Sequence, residues 1–460
     1  MGHSFGMMEK LPDSRQAAIL KVNLALEAVI VSVAFYLSMI DLSFLMICTC
    51  LLILYIFFQG VLGAAKGIVI LSVRYLIDSG VDYSESNLQT LKWILLFVFS
   101  GYIILHYNKM PKENRATSNK IIATLSIFCL YNLMSSIFFS SMPMVSVLKI
   151  LSYYIIFLGV FLGVGITCKT FDWIKFSYVF FAVIALFNLS VSNDPSAYSV
   201  PNDFFMGVFG YSNLNGLFIL SFISISLIFI KRISRFKVIP VLMIFAALFM
   251  LFLAWSRTAT VTIAIVFVVY FLMSPIDIRI KVVTGAFLAL LAVSLFMSVE
   301  PLREAVMEYL FKHSSGGEDI MYSRTLQFSE LIESFKNNLL FGNGFGTPIL
   351  ETKDLSFQIS SPKESGNLIL ALLSEGGFFG ILTFFLYFIQ FFILKNKRIL
   401  LVLPVCVLFM NFGEMSFFAS NNFGVIIYLM LAIFTFYSFR DNKVVAGAVI
   451  EDVPAAQHSL

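Results

Sequence analysis

The sequence predicts an all-α polytopic membrane protein: a bundle of about 12–14 transmembrane helices with one large, partly helical loop on the far side of the membrane. Three observations predict it. Charged residues make up 13% of the 460 positions and hydrophobic residues 59%, where a soluble domain carries roughly 25% charged residues. The mean hydropathy of +0.91 leaves more apolar surface than a water-facing globule can hide. Finally, apolar runs approaching the ~20 residues that a bilayer core demands recur along the chain.

These runs cover 22–40, 42–58, 61–77, 91–106, 121–139, 146–167, 173–191, 207–230, 238–255, 258–273, 282–298, 366–394, 399–413 and 422–438. The first is too long for a removed signal peptide and lacks a small-residue cleavage site. The third is interrupted by Lys66 and Arg74, so it reads either as a span or as a helix lying at the interface. Orientation follows from the basic residues of the short loops. Threading the runs alternately puts Lys109, Lys112, Arg115 and Lys120 on one side, together with Lys231, Arg232, Arg235 and Lys237, and with Lys395, Lys397 and Arg398. Lys10, Arg15 and Lys21 fall there too, as do Arg440 and Lys443, so both termini are expected in the cytoplasm. The opposite side receives 78–90, with Asp78, Asp82 and Glu85, and 192–206, which has no Lys or Arg.

The threading divides the chain into a transmembrane bundle over 1–298, a large outer loop over 299–365, closing transmembrane helices over 366–440 and a tail over 441–460. Within the loop, Pro301–Lys312 and Arg324–Asn338 read as amphipathic helices. The run Phe341-Gly-Asn-Gly-Phe-Gly346 then breaks the helical pattern with glycines at alternate positions. A loop of this length suits a lid or receptor over a site at the outer leaflet; the plainer reading is an ordered connection.

Composition excludes several function classes. The net charge of +4 is small and scattered, which leaves a nucleic-acid partner without footing. The five cysteines (Cys48, Cys50, Cys129, Cys168 and Cys406) lie in or beside apolar runs in no metal-binding spacing, and read as buried, inert thiols. There is no Walker loop, no haem-type histidine pair and no Asp-x-Asp, which disfavours an ATP-driven pump and a nucleotide-sugar glycosyltransferase. No metal site is expected.

Ionisable groups at membrane depth are costly and tend to face a cavity or a partner. Arg257, in Ala254-Trp-Ser-Arg-Thr-Ala259, stands at the outer junction of two consecutive spans, where a guanidinium can grip phosphate with two parallel hydrogen bonds or snorkel to head groups. Arg324, in Tyr322-Ser-Arg-Thr325, begins the second loop helix, an electrostatically poor place for a cation unless an anion sits nearby. Together the two arginines could hold a diphosphate. Glu364, in Ser361-Pro-Lys-Glu-Ser-Gly-Asn367, stands where the loop returns to the membrane and is a candidate general base for a sugar hydroxyl, with Lys363 beside it as an anion contact. The plainer reading is an interfacial charge pair. Asn213 and Asn215, in Phe209-Gly-Tyr-Ser-Asn-Leu-Asn-Gly216, can bond a sugar or cap a helix. In Glu375-Gly-Gly-Phe-Phe-Gly380 the glycines permit close packing, and Glu375 reads as orienting its neighbours. Glu27 and Glu414 are further carboxylates with no partner evident from sequence.

The order and spacing of these motifs relative to the loop resemble the O-antigen ligase and polymerase superfamily, the WaaL-like ligases and Wzy-type polymerases of bacterial surface polysaccharides. The resemblance spans most of the chain. It implies a bacterial inner-membrane enzyme that takes a glycan from undecaprenyl diphosphate at the periplasmic face, with no metal or other cofactor, by inverting transfer. By position, Arg257 and Arg324 match the arginines thought to hold the donor diphosphate. The ligases usually carry a histidine where the loop returns to the membrane; here His3, His106, His313 and His458 all stand elsewhere and Glu364 takes that place. The departure favours a polymerase joining oligosaccharide repeat units, for which a chain-length regulator is a typical partner. The alternatives are a ligase delivering glycan to lipid A core and, from another class, a lipid-linked oligosaccharide transporter. The transporter would be expected to show two similar halves, and no internal repeat is evident.

Overall fold

The computed structural model describes residues Glu27, Val31 and Ala34, then 42–77, 86–199, 203–233, 236–311, 322–346, 366–394, 398–420 and 422–437. Among them the chain is almost entirely helical: α1 Leu42–Gln59, α2 Val61–Arg74, α3 Ser86–Leu105, α4 Lys112–Phe139, α5 Pro143–Thr167, α6 Trp173–Ser190, α7 Ser212–Arg232 and α8 Val238–Ala254. There follow α9 Arg257–Met273, α10 Ile278–Ser298, α11 Glu300–Phe311, α12 Tyr322–Asn337, α13 Leu368–Ile393, α14 Val402–Gly413 and α15 Phe423–Phe436. The strand-like pairing among the described residues is one bridge, Tyr198 with Phe205.

Every expected run from 42–58 onward is occupied by a helix. Five helices, α4, α5, α6, α7 and α13, are long and apolar enough to cross a membrane, and shorter apolar helices accompany them. The chain is therefore an all-α polytopic membrane protein. Both loop helices read from the sequence are present, as α11 and α12. Two boundaries differ. α7 begins at Ser212 rather than near 207, because Gly207 and Gly210 take positive φ and turn the chain first. α4 begins at Lys112, so much of the basic loop is helical.

The greatest departure concerns the third run. α2 is no interfacial helix: nearly every residue from Val61 to Arg74 is buried, and α1, α3, α5 and α15 surround it. Its charges are met inside the protein. Lys66 Nζ lies 2.5 Å from Glu27 Oε1 and 3.1 Å from Gln59 Oε1, with the Phe171 ring 4.1 Å away. Arg74 donates to the Ile77 carbonyl. A lysine in an apolar run looks prohibitive only while its partner, 39 residues upstream, goes uncounted.

With lipid as solvent, helices associate by close packing and hydrogen bonds rather than by hydrophobic drive. In α5, Gly159 and Gly163, four residues apart, let Ser100 of α3 and Ala65 of α2 approach without room for a Cβ. At the centre Phe128, Tyr153, Phe157, Phe384, Tyr387 and Phe418 pack largely edge to face; Tyr153 and Phe418, for example, lie 5.1 Å apart at 85°. One thiol departs from expectation: Cys129 and Cys406 are buried, Cys48 and Cys168 are half-buried, but Cys50 is exposed.

Contacts sort into two ends of the bundle. At one end Arg232 pairs with Asp172 at 2.6 Å, and Tyr437 bonds the Phe171 carbonyl and the Trp173 N–H. At the other, Lys92 reaches Asn422, Asn213 reaches Glu414, and α11 folds back over the α8–α9 turn. Alternate threading of the helices assigns each of these groups to a single side.

Candidate functional site

At the loop end, α7 and α9 start side by side. Gly216 in the first turns of α7 leaves no space for a Cβ against Ser256 and Ala259 at the start of α9. The two helices therefore run parallel with their N-terminal turns in contact. Neither start is capped by a side chain: Tyr211 precedes α7, and Ser256, the N-cap of α9, makes no capping bond. The Ser256 hydroxyl is buried without a hydrogen-bond partner. Two helix dipoles thus present their positive ends together, with Arg257 as the first residue of α9.

The turn that places Arg257 is tight. Trp255 adopts a left-handed conformation, φ 49° and ψ 35°, so that α8 ends and α9 begins within two residues. Such a backbone is uncommon for a bulky residue and is held here by the surroundings. The Trp255 indole lies 5.8 Å from the Phe204 ring and 5.2 Å from Tyr309 of α11. Tyr309 also shares a 2.6 Å hydrogen bond with Thr260, one turn into α9. Burial pushes the Tyr309 phenol up from its ordinary value, against the pull of the Thr260 hydroxyl and of the nearby Arg257 guanidinium.

The rest of this wall comes from α14 and α13. Gly413, the last residue of α14, is pressed so closely on Thr258 that a Cβ would collide with its hydroxyl. The next residue, Glu414, accepts a 2.7 Å bond from the Asn213 amide through Oε1. Asn367 caps α13 by accepting from the Leu370 N–H and ties itself to α14 by donating to the Phe412 carbonyl. The start of α13 is therefore tied to the last turn of α14, next to Glu414.

A second construction lies on α13, which is broken at Gly377 (φ 63°, ψ −161°). A break at membrane depth frees backbone groups that must be satisfied elsewhere. The segment Leu339–Gly346 supplies the partners. Leu339 and Leu340 carbonyls accept from the Phe378 and Phe379 N–H groups, while Asn343 and Gly344 N–H groups donate to the Ser374 and Glu375 carbonyls. Tyr131 donates to the Gly376 carbonyl at 2.7 Å. The approach is backbone on backbone: a Cβ on Gly342 would strike the Glu375 carbonyl, and one on Gly377 the Leu340 carbonyl. At the far end of this segment Gly346 bridges two charges, its N–H donating to Glu375 Oε2 and its carbonyl accepting from Lys149 Nζ, both at 2.7 Å.

The sequence-derived candidates thus fall into three groups. Arg257 and Asn213 share the α7–α9 head with Glu414. Asn215 is fully buried, its amide bonded to Asn188 and to the Phe205 carbonyl, so its side chain braces the turn before α7. Neither asparagine caps α7, since both lie inside its first turn. Arg324 lies in the first turn of α12, with its side chain outside the described residues; α12 packs on α13, where Ser334 bonds Ser374 and accepts from Asn343. Lys363 and Glu364 lie outside the described residues. Tyr309, Asn367, Asn188 and Lys149 escaped the sequence reading because their work depends on partners 20 to nearly 200 residues away. Glu375, read as orienting its neighbours, is the buried anchor of Gly346.

This arrangement is that of a polytopic membrane protein in which two uncapped helix starts and Arg257 stand together at the end where α11 folds back. Residues 241–385 are similar to a family described as O-antigen ligase, a match that supports the superfamily resemblance drawn from the sequence. The matched span runs from α8 through Arg257, the loop helices and the break in α13. Comparison with curated proteins gave no match, and comparison with solved structures gave none.

Proposed function

We propose that this protein polymerises undecaprenyl-diphosphate-linked oligosaccharide repeat units at the periplasmic face of the bacterial inner membrane, by metal-independent, inverting glycosyl transfer. The observation that carries the reading is the paired, uncapped starts of α7 and α9 with Arg257 at the head. Backbone N–H groups, two aligned dipoles and a guanidinium suit a diphosphate leaving group, whose charge grows as the sugar–oxygen bond breaks. The family match supports the broader class, transfer of lipid-linked glycan. Asn213 enters as a hydrogen-bonding contact at this head. Arg324 and Lys363 enter from the sequence as further diphosphate contacts, and the sequence offers Glu364 as a candidate base for the acceptor hydroxyl.

The test is reconstitution. Purified protein in liposomes receives a synthetic lipid-diphosphate-linked repeat unit in the presence of EDTA, and products are resolved on a gel. The expected result is a ladder of lengthening glycans, reduced about 10²–10³-fold in rate by Arg257→Ala, as for loss of a transition-state donor. Transfer that appears only when lipid A core is supplied would replace the polymerase with a ligase. Movement of the lipid-linked unit without glycosidic bond formation would replace both with a transporter. Addition of a chain-length regulator is expected to narrow the product distribution.

A further inference from the structure

We infer that Glu414, rather than Glu364, is the group that accepts the proton of the acceptor hydroxyl. The inference rests on the glycosyl-transfer reading above and names a residue of the same site.

The wall around the α7 and α9 starts is electropositive by construction, and a carboxylate is the wrong charge for a place that only holds phosphate. Glu414 nevertheless stands there. It follows directly on Gly413, which packs against Thr258 with no room for a Cβ, so its backbone is held close to the first turn of α9 that carries Arg257. Its side chain is half-buried, and Asn213 holds Oε1 at 2.7 Å. It is also the C-cap residue of α14, which places it at a helix end facing the α7 and α9 starts. The N-cap of α13 is tied to the same turn of α14 through Asn367 and Phe412. A carboxylate so positioned has the two properties of a general base: a fixed location beside the leaving-group site and an orientation set by a neighbour.

The step balances without a co-reactant. The acceptor hydroxyl oxygen attacks the anomeric carbon of the donor, and its proton passes to Glu414. The bond from that carbon to the diphosphate oxygen breaks, and its electron pair leaves with the lipid diphosphate. Glu414 later returns the proton to water. The helices packed against α14 are α7, α9, α13 and α15: Arg257 heads α9 beside Thr258, Glu375 lies on α13, Lys231 and Arg232 stand at the opposite end of α7, and Tyr270, Tyr387 and Tyr428 are the phenols of α9, α13 and α15.

Two variants in liposomes test the assignment, with undecaprenyl diphosphate alone as the binding probe and the lipid-linked repeat unit as substrate. Glu414→Gln keeps the shape and an acceptor for Asn213. It is expected to bind the diphosphate as well as wild type, to lose about 10²–10⁴-fold in transfer rate, and to lose the acid limb of the pH–rate profile. Asn213→Ala leaves the carboxylate but removes its hydrogen bond, which favours the charged form. The acid limb should therefore move to higher pH. Glu414→Gln transferring within about threefold of wild type, or an unmoved acid limb in Asn213→Ala, overturns the inference while leaving the proposed function intact. A wild-type protein that binds the lipid-linked unit but transfers nothing overturns both.

Discussion

Arg257 owes its position to a strained neighbour. Trp255 in left-handed geometry ends α8 abruptly and lets the guanidinium stand at the first position of α9 rather than in a flexible linker. A lysine at 257 would keep the charge but lose the planar fork that matches two phosphate oxygens. Arg257→Lys is therefore expected to lower kcat/KM roughly tenfold with the fold unchanged. Tyr309 ties the loop to this turn. Tyr309→Phe removes one hydrogen bond, to Thr260, at a cost of about 0.5–1.5 kcal/mol, read as a lowered midpoint of thermal unfolding. Its pH dependence has a defined sign. Burial raises the phenol above its ordinary 10.0, so the neutral form is favoured in the folded state. That contribution is fully present below about pH 10 and is lost as the pH rises further; an alkaline unfolding titration of wild type against Tyr309→Phe checks it.

At the scale of elements, the break in α13 and the glycine run 342–346 are two halves of one structure. Neither is stable alone: the break leaves N–H and C=O groups without helical partners, and the loop carries a backbone with nothing to pair. Gly342 and Gly377 both have positive φ and both face a carbonyl where a Cβ would sit. Gly342→Ala and Gly377→Ala should each destabilise by ~1–3 kcal/mol or more, detectable as loss of folded protein in detergent. Gly285 in α10 is the control, because a Cβ there meets open space; Gly285→Ala should be neutral or stabilise by about 0.5–1 kcal/mol. Glu375→Ala would leave the Gly346 N–H without its acceptor and should cost about 1–3 kcal/mol.

For the whole molecule, the decisive property is sidedness. Long-range contacts mark two ends, one built from Asp172, Arg232 and Tyr437 and one from Asn213, Tyr309 and Glu414 beside Arg257. Tyr211 at the second end and Phe236 at the first are 73% and 78% exposed. In a cysteine-free background, Tyr211→Cys is expected to react with an impermeant maleimide added to intact spheroplasts. Phe236→Cys should react only after lysis, and the reverse pattern would invert the proposed orientation.

The sequence by itself determined the helical bundle, its alternation and the two loop helices, because span length and hydropathy are local properties that lipid enforces residue by residue. It also drew attention to Arg257, Asn213 and the glycine run, whose residue types are unusual where they stand. Only the tertiary structure decided that α2 is central, since the cost of Lys66 depends on Glu27. It likewise turned two separate glycine motifs into a single interlock between α13 and the loop. Glu414 shows the reason most plainly. Along the chain it is a lone carboxylate; it acquires a role when Gly413 packs against Thr258 and Asn213 reaches across 201 positions to hold it, and packing between distant segments is written in no local pattern.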